Sequence, residues 1–220
     1  WQARGLRHRS PGLVRAIAEI AFGGQGPAET ERELAWLAVR EAWTGAEVLD
    51  LLQERLLPRV AVEKSPDTVA TPGALARMAE AYPRARYLHL TRHPVSTQAS
   101  VVAHRRRVVP DLPSPDEPMA GIATWVALHA LILDFLAPLP PERKLRLRAE
   151  DLLGDPERAL PLVARWLGLD DGPEAVGAMR HPERSPFARF APEAGGVVGG
   201  QDPGFLADPV LRDAKIPPDR

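Results

Sequence analysis

Residues 87–94 of this chain, with the sequence YLHLTRHP, limit its fold more than any other segment. The pattern is typical of a buried strand over residues 86–90, and the Arg92 and Pro94 that follow indicate a turn into a helix. In an open parallel sheet, ligands bind beyond the carboxyl ends of the strands, where the next helix adds free N–H groups and its positive dipole end. We therefore predict an anion site at this strand end, with Arg92 as its fixed positive charge.

Two serines extend the predicted anion site into the helix. Ser96 and Ser100 are four residues apart and therefore share one helix face. Arg92 and Ser100 can thus converge on a single phosphate group. The alternative is that Arg92 pairs with a carboxylate and that Ser100 is an ordinary helix residue.

Composition restricts the classes of protein and of partner. The 220 residues, 45% of them hydrophobic, fit one α/β domain with a substantial core. Because 28 Lys and Arg residues balance 29 Asp and Glu residues, we expect no contact with nucleic acid or with a membrane surface. The absence of cysteine excludes disulfide bonds and thiolate nucleophiles and fits a reducing cytosol, so we predict a cytoplasmic protein. The scattered histidines form no ligand cluster, and we predict no metal site.

The first half of the chain combines helical periodicity with two short strand patterns. Helices are predicted over residues 11–22, 29–43, 46–57 and 71–82, the last with Thr71 as its N-cap. The β-branched run at residues 59–63 predicts a strand, which would form a parallel crossover unit with the strand at residues 86–90. Lys64 and Arg92 would then follow two strand ends at the same edge of the sheet.

The second half continues the alternation of helix and strand. Residues 109–118 are rich in Pro and Asp and predict a loop, and a long helix over residues 119–136 carries His129 beside an apolar stripe. Residues 144–148 alternate strictly and predict a half-buried strand. Asp155 begins the next helix as its N-cap, and the chain becomes irregular from residue 170, with a glycine-dense run at residues 195–203.

Three segments resemble, in order and in spacing, those of the sulfotransferase family that uses 3′-phosphoadenosine 5′-phosphosulfate (PAPS). They are VEKSP at residues 62–66, PRARYLHLTRHP at residues 83–94 with Ser100, and RAEDLLGDP at residues 148–156, which leads to WLGL at residues 166–169. The resemblance covers residues 59–169. The sequences of these segments look closest to those of bacterial sulfotransferases, including the ones embedded in polyketide and peptide assembly lines.

The resemblance implies a three-layer α/β/α fold, similar to that of P-loop NTPases, with a mostly parallel sheet. It implies that Arg92 and Ser100 bind the 3′-phosphate and that a C-terminal loop with Gly199 and Gly200 closes the site. We expect a single domain over residues 1–220, with a helical substrate side at 1–58, a cofactor-binding core at 59–169 and an irregular region at 170–220.

The glycine loop that cradles the 5′-phosphosulfate in this family is absent from the sequence. Residues 23–27 lack both a preceding strand and a following pair of basic and hydroxyl residues. The chain also begins at Trp1 rather than at methionine. We therefore expect that the N-terminal strand and loop are missing, either because this protein lost them or because the sequence is a fragment.

The resemblance also implies the catalytic residues. Lys64 matches the lysine that stabilises charge on the bridging phosphate oxygen, and His129 is our first choice for the base that activates the acceptor. Glu63, Asp67 and His104 are reserve candidates for the base. The alternatives are that Lys64 is a solvated lysine and that His129 is a histidine packed beside a tryptophan.

The expected reaction is transfer of a sulfuryl group from PAPS to a hydroxyl or amine of a small-molecule or carrier-bound acceptor. The product of the donor would be 3′-phosphoadenosine 5′-phosphate (PAP). One alternative is a degenerate nucleotide-binding domain without catalysis, which the missing loop favours. Another is a P-loop kinase, which would need a Walker-type glycine loop and a magnesium carboxylate, and the sequence shows neither.

Overall fold

Backbone contacts divide the chain into two units in the computed structural model, which describes residues 11–108, 118–185, 188, 205 and 208–211. One unit comprises Trp1–Lys64 and His181–Val210, and the other comprises Ser65–Arg180 and Leu211–Arg220. The first consists mainly of helices, whereas the second contains the sheet. The single-domain organisation expected from the sequence stays a prediction.

Three amphipathic helices form the core of the first unit. They are α1 at Pro11–Phe22, α2 at Pro27–Ala38 and α3 at Gly45–Leu56, and a 3₁₀ helix follows in this unit at Pro182–Arg184. Helix α1 packs against both α2 and α3, and the buried core contains Ile17, Leu37, Val48 and Leu52. The helical periodicity therefore predicted these elements correctly, although α2 ends five residues before the predicted residue 43.

The prediction of a strand at residues 59–63 is wrong. Residues 60–65 belong to no strand, and Val60 and Val62 are 45% and 81% exposed. A strand is stabilised only when a neighbour accepts its backbone hydrogen bonds and one of its faces is buried. Neither condition holds here, and the sheet of the described residues has two strands only. Lys64 therefore does not follow a strand end, and the predicted crossover from this run does not form.

The second unit alternates helices with two strands. Its helices are α4 at Pro72–Ala81, α5 at Pro94–Val108, α6 at Pro118–Leu136, α7 at Ala149–Gly154, α8 at Pro156–Leu167 and α9 at Pro173–Met179. Its strands are β1 at Tyr87–Thr91 and β2 at Lys144–Arg148, and 3₁₀ helices lie at Pro66–Val69 and Pro141–Arg143. None of the helices in the described part of the chain is long and apolar enough to cross a membrane.

Local capping determines where several of these helices begin and end. The Thr71 hydroxyl accepts a hydrogen bond from the Ala74 N–H at 3.2 Å, and the Asp155 carboxylate accepts one from the Arg158 N–H at 3.2 Å. Gly168 ends α8 with φ of 76°, in the left-handed region that favours glycine. Both N-caps predicted from the sequence are therefore confirmed.

The two strands are parallel and are connected through α5 and α6. In their register, His89 lies opposite Arg146 and Thr91 lies opposite Arg148. His89 and Thr91 are buried, whereas Leu88 and Leu90 are 44% and 51% exposed. The buried face is thus the polar one, because α6 contacts it through its side chains. The sequence had suggested instead that the whole strand is buried.

Helices α5 and α6 pack closely where Gly121 faces Gln98. A Cβ atom on Gly121 would lie 1.5 Å from Oε1 of Gln98, so only glycine fits unless the Gln98 side chain moves. The helix that follows Arg92 and the helix that carries His129 therefore approach each other closely at this point.

Candidate functional site

Arg92 lies directly after β1, at the end of the sheet where the sequence predicted an anion site. Its side chain is exposed, and it makes no hydrogen bond or ion pair with any residue that the structure describes. Its backbone carbonyl accepts a hydrogen bond from Nε1 of Trp125 at 3.1 Å. The backbone of Arg92 is therefore held in place while its guanidinium is available to an anion.

Helix α5 begins beside this guanidinium. Pro94 occupies its first position, and the first-turn N–H groups of a helix have no acceptor within the helix. Ser100 is exposed and has no hydrogen-bond partner within the described ranges. The helix rises about 9 Å between Pro94 and Ser100. The convergence of the Arg92 guanidinium and the Ser100 hydroxyl on one phosphate stays a prediction.

Glu150, which the sequence had not singled out as a site residue, lies at the same end of the sheet. Its Oε1 accepts a hydrogen bond from the backbone N–H of His93 at 2.7 Å. Burial tends to raise the pKa of Glu150, but hydrogen bonds from the backbone of His93 and of Glu150 itself, together with the Arg148 charge, lower it overall. The signal for this role was its position two residues after the end of β2, because parallel strands end at the same edge.

His89 and His129 form a hydrogen-bonded pair between β1 and α6. Nε2 of His89 and Nδ1 of His129 lie 2.7 Å apart. Burial, with the nearby charges of His129 and Arg146, lowers the pKa of His89 to about 4. Burial and the Arg146 charge also lower the pKa of His129. Both imidazoles are therefore neutral at neutral pH, the state in which a histidine can accept a proton.

Trp125 connects the histidine pair to Arg92. Its ring lies 4.1 Å from the His129 ring, measured between centroids, and its Nε1 donates the hydrogen bond to the Arg92 carbonyl. Trp125 and His129 lie one helical turn apart on α6, so they share one helix face. His129 therefore packs beside a tryptophan, as in the alternative that we considered for it. The same tryptophan contacts the backbone of Arg92.

The remaining candidates lie elsewhere in the chain or outside the described residues. Glu63 and Lys64 are exposed residues of the first unit, and Asp67 is exposed in the 3₁₀ helix Pro66–Val69. The side chain of His104 lies outside the described residues. Gly199, Gly200 and residues 109–117 of the loop predicted over residues 109–118 also lie outside the described residues, and residue 118 begins α6. The roles of all these residues stay predictions.

The family of the protein follows from a comparison with known protein families. A family model described as "Sulfotransferase family" matches residues 2–173, which is most of the chain. The chain belongs to the sulfotransferase family. The resemblance found in the sequence is therefore confirmed, and the broad class of enzyme is that of the transferases. No curated protein matches this sulfotransferase.

Two solved structures share the fold of this sulfotransferase. The sulfotransferase domain from the curacin biosynthetic pathway is 23% identical with a TM-score of 0.76, and the match covers 96% of this chain and 74% of that domain. The sulfotransferase domain from the olefin synthase of Synechococcus PCC 7002 is also 23% identical, with a TM-score of 0.67 and coverage of 96% and 71%. These neighbours confirm the α/β sulfotransferase fold that we expected.

Within this sulfotransferase, the second unit contains both Arg92 and His129, and Trp125 contacts the backbone of the first and the ring of the second. Arg92 supplies a positive charge with no protein counter-ion in the described part of the chain, and His129 supplies a neutral imidazole. Trp125 and Glu150 fix the backbone on either side of the Arg92–His93 peptide bond. The described residues contain no group of three potential metal ligands. The arrangement is suited to holding an anionic group near a base.

Proposed function

We propose that this sulfotransferase uses PAPS as its donor and transfers the sulfuryl group to a hydroxyl or amine of a small-molecule or carrier-bound acceptor. The observation that supports this most strongly is the unpaired, exposed guanidinium of Arg92 at the end of β1. A guanidinium with no protein counter-ion is the group that binds a phosphate most specifically, because its N–H donors match two phosphate oxygens. PAP is the product of the donor.

The residues around Arg92 fit the 3′-phosphate of the donor. Arg92 would make the charged hydrogen bonds, the Ser100 hydroxyl would donate another, and the first turn of α5 adds N–H groups and a positive dipole end. PAPS supplies an activated sulfuryl group when it is bound. The C-terminal loop with Gly199 and Gly200 is proposed to close over the nucleotide.

His129 is proposed to act as the base for the acceptor. It is neutral at neutral pH and only half-buried, so an acceptor hydroxyl can reach it. The donor, the acceptor and the base need only to be held in place, because sulfuryl transfer, like phosphoryl transfer, depends mainly on positioning and electrostatics. Lys64 is proposed to stabilise the charge on the bridging oxygen, with Glu63 as a second candidate for the base.

The acceptor class is supported by the sources of the two structural neighbours. One comes from the curacin biosynthetic pathway and the other from an olefin synthase, both of which make small molecules. The balanced charge of 28 basic and 29 acidic residues favours such an acceptor over nucleic acid or an anionic membrane. The proposed location is the cytoplasm.

Calorimetry with PAP tests the donor site. Arg92→Ala should weaken PAP binding by about 10- to 100-fold, because a charged hydrogen-bonded pair is lost. Arg84→Ala is the matched control, since Arg84 is also exposed and has no partner in the residues that the structure describes. Equal affinities of the wild type and Arg92→Ala for PAP would overturn the assignment. A sulfuryl-transfer assay with PAPS then separates an enzyme from a nucleotide-binding domain without catalysis.

A further inference from the structure

We propose that His89 is a positioning residue for the base: its Nε2 accepts the Nδ1–H of His129 and thereby leaves Nε2 of His129 unprotonated. This inference rests on the proposed role of His129. It adds a residue that neither the sequence motifs nor the proposed donor site had assigned a role. The state that it predicts for His129 can be measured without any turnover.

The contact between the two rings is short and is held by a rigid strand. Nε2 of His89 lies 2.7 Å from Nδ1 of His129, and the ring centroids are 4.9 Å apart. His89 is buried in the middle of β1, where its neighbour across the sheet is Arg146. On its other side, His129 contacts the Trp125 ring. The His129 imidazole is therefore fixed by one hydrogen bond and one ring contact.

This hydrogen bond decides which nitrogen of His129 can act as a base. A neutral imidazole carries one proton, so a proton on Nδ1 leaves a lone pair on Nε2. In the reverse arrangement, His89 donates from its Nε2 to Nδ1 of His129. The one proton of the neutral His129 then lies on Nε2, which cannot accept a second proton. The base role therefore requires that His89 is the acceptor, because the group that accepts from one ring nitrogen of a functional histidine commonly fixes its tautomer.

The environment of His89 keeps it an acceptor during the reaction. Burial and the charges of His129 and Arg146 lower the pKa of His89 to about 4, whereas the lowering for His129 comes from burial and Arg146. His89 therefore stays neutral when His129 becomes an imidazolium. Nδ1 of His89 is buried without a hydrogen-bond partner among the described residues, whichever way the shared proton points. The His89 ring thus makes only one hydrogen bond there, and that bond is to His129.

The proton transfer balances with the group transfer. The acceptor O–H or N–H bond breaks, its proton passes to Nε2 of His129, and its electron pair forms the new bond to sulfur. The bond between sulfur and the bridging phosphate oxygen breaks, and that oxygen keeps the electron pair in PAP. The imidazolium of His129 then donates its Nδ1–H to Nε2 of His89, which stays neutral.

Nitrogen NMR of the ¹⁵N-histidine-labelled protein at neutral pH tests the tautomer directly. We expect the shifts of a protonated Nδ1 and an unprotonated Nε2 for His129, with its signals assigned by their loss in His129→Asn. The reverse pattern, with the proton on Nε2, would overturn the proposal. This measurement needs neither PAPS nor an acceptor, so its outcome is independent of whether the proposed donor is correct.

Two substitutions of His89 separate positioning from packing. His89→Gln places an amide oxygen where Nε2 lies and keeps an acceptor for Nδ1–H, whereas His89→Leu removes it. We expect His89→Leu to lower kcat by about 10- to 100-fold, with PAP affinity unchanged, and His89→Gln to restore most of the loss. Equal losses in the two variants, or no loss in His89→Leu, would overturn the proposal. If His89→Leu does not fold, the tautomer of the wild type and the kcat of His89→Gln decide the question.

Failure of the proposed function and failure of the role of His89 give different experimental results. If the protein does not bind PAP, the donor assignment is wrong, but the nitrogen spectrum still reports the tautomer of His129. If PAP binds and the spectrum shows the proton on Nε2, the donor site stands and the role of His89 is lost.

Discussion

The carboxylate of Glu150 joins the ends of the two strands by accepting a hydrogen bond from the backbone N–H of His93 at 2.7 Å. Glu150 follows β2 closely, and His93 is the second residue after β1. A buried carboxylate thereby holds the peptide unit next to Arg92. This contact involves none of the side chains proposed to bind the donor. It fixes the backbone from which the Arg92 side chain extends.

We predict that Glu150→Ala lowers the free energy of unfolding by about 1.5–3 kcal/mol, the usual contribution of a hydrogen bond to a charged group. Urea unfolding measures this change. Asp151→Ala is the matched control, because Asp151 is exposed and its ion pair with Arg148, at 3.8 Å, contributes little. An equal effect in the two variants would contradict the role of Glu150. Glu150→Gln, which keeps an acceptor oxygen, should be less harmful than Glu150→Ala.

We predict from the pair of His89 and His129 that the second unit loses stability in mild acid. The pKa of His89 is lowered from 6.5 to about 4, so the unfolded chain binds more protons in that interval. The free energy of unfolding therefore has its full value above pH 6.5, and it decreases as the pH falls from 6.5 towards 4. His129 and Arg146 face His89 and oppose its protonation, so both contribute to the effect. The free energy of unfolding, measured by urea between these pH values, should fall less steeply in His89→Gln.

We predict that Trp125→Phe weakens PAP binding several-fold. The phenyl ring keeps a contact with His129 but cannot donate to the Arg92 carbonyl, so the backbone at Arg92 becomes less well held. Trp166→Phe is a suitable control, because Nε1 of Trp166 has no hydrogen-bond partner in the described part of the chain. Calorimetry with PAP distinguishes the variants. A loss of affinity in Trp166→Phe as large as in Trp125→Phe would count against this explanation.

His129→Ala should lower kcat by about 10²- to 10⁴-fold, the range that general bases contribute. PAP affinity should remain close to that of the wild type, because the proposed phosphate contacts come from Arg92 and Ser100. Steady-state kinetics and calorimetry on one preparation give both quantities. An unchanged kcat would transfer the base role to Glu63, Asp67 or His104.

Elements that are determined by local chemistry could be predicted from the sequence. The caps at Thr71 and Asp155 and the left-handed Gly168 depend on groups within a few residues, and the structure has all three. The strand before Arg92 was also predicted, although it depends on pairing with β2, which lies 57 residues later in the chain. The strand at residues 59–63 could not be judged locally, because pairing depends on a neighbour that is distant in the chain.

The histidine pair and Glu150 show the same limit for the site. His89 lies 40 residues before His129 in the chain, and its importance depends on the helix that covers β1. Glu150 lies 57 residues after His93, and only the parallel register brings the two together. The sequence predicted β1 as a buried strand, but only one of its faces is buried, and that face was decided by α6 rather than by hydrophobicity.

The fit of Gly121 against Gln98 has a mechanical consequence for the proposed reaction. Helix α5 carries Ser100 and α6 carries His129, and between these helices the end of the Gln98 side chain fills the space that a Cβ of residue 121 would occupy. Any larger group at position 121 would force the Gln98 amide aside or move the helices apart. A substitution at position 121 therefore acts first on the Gln98 side chain, which lies between the helix of the proposed phosphate ligand and the helix of the proposed base, and only then on the spacing of the two helices.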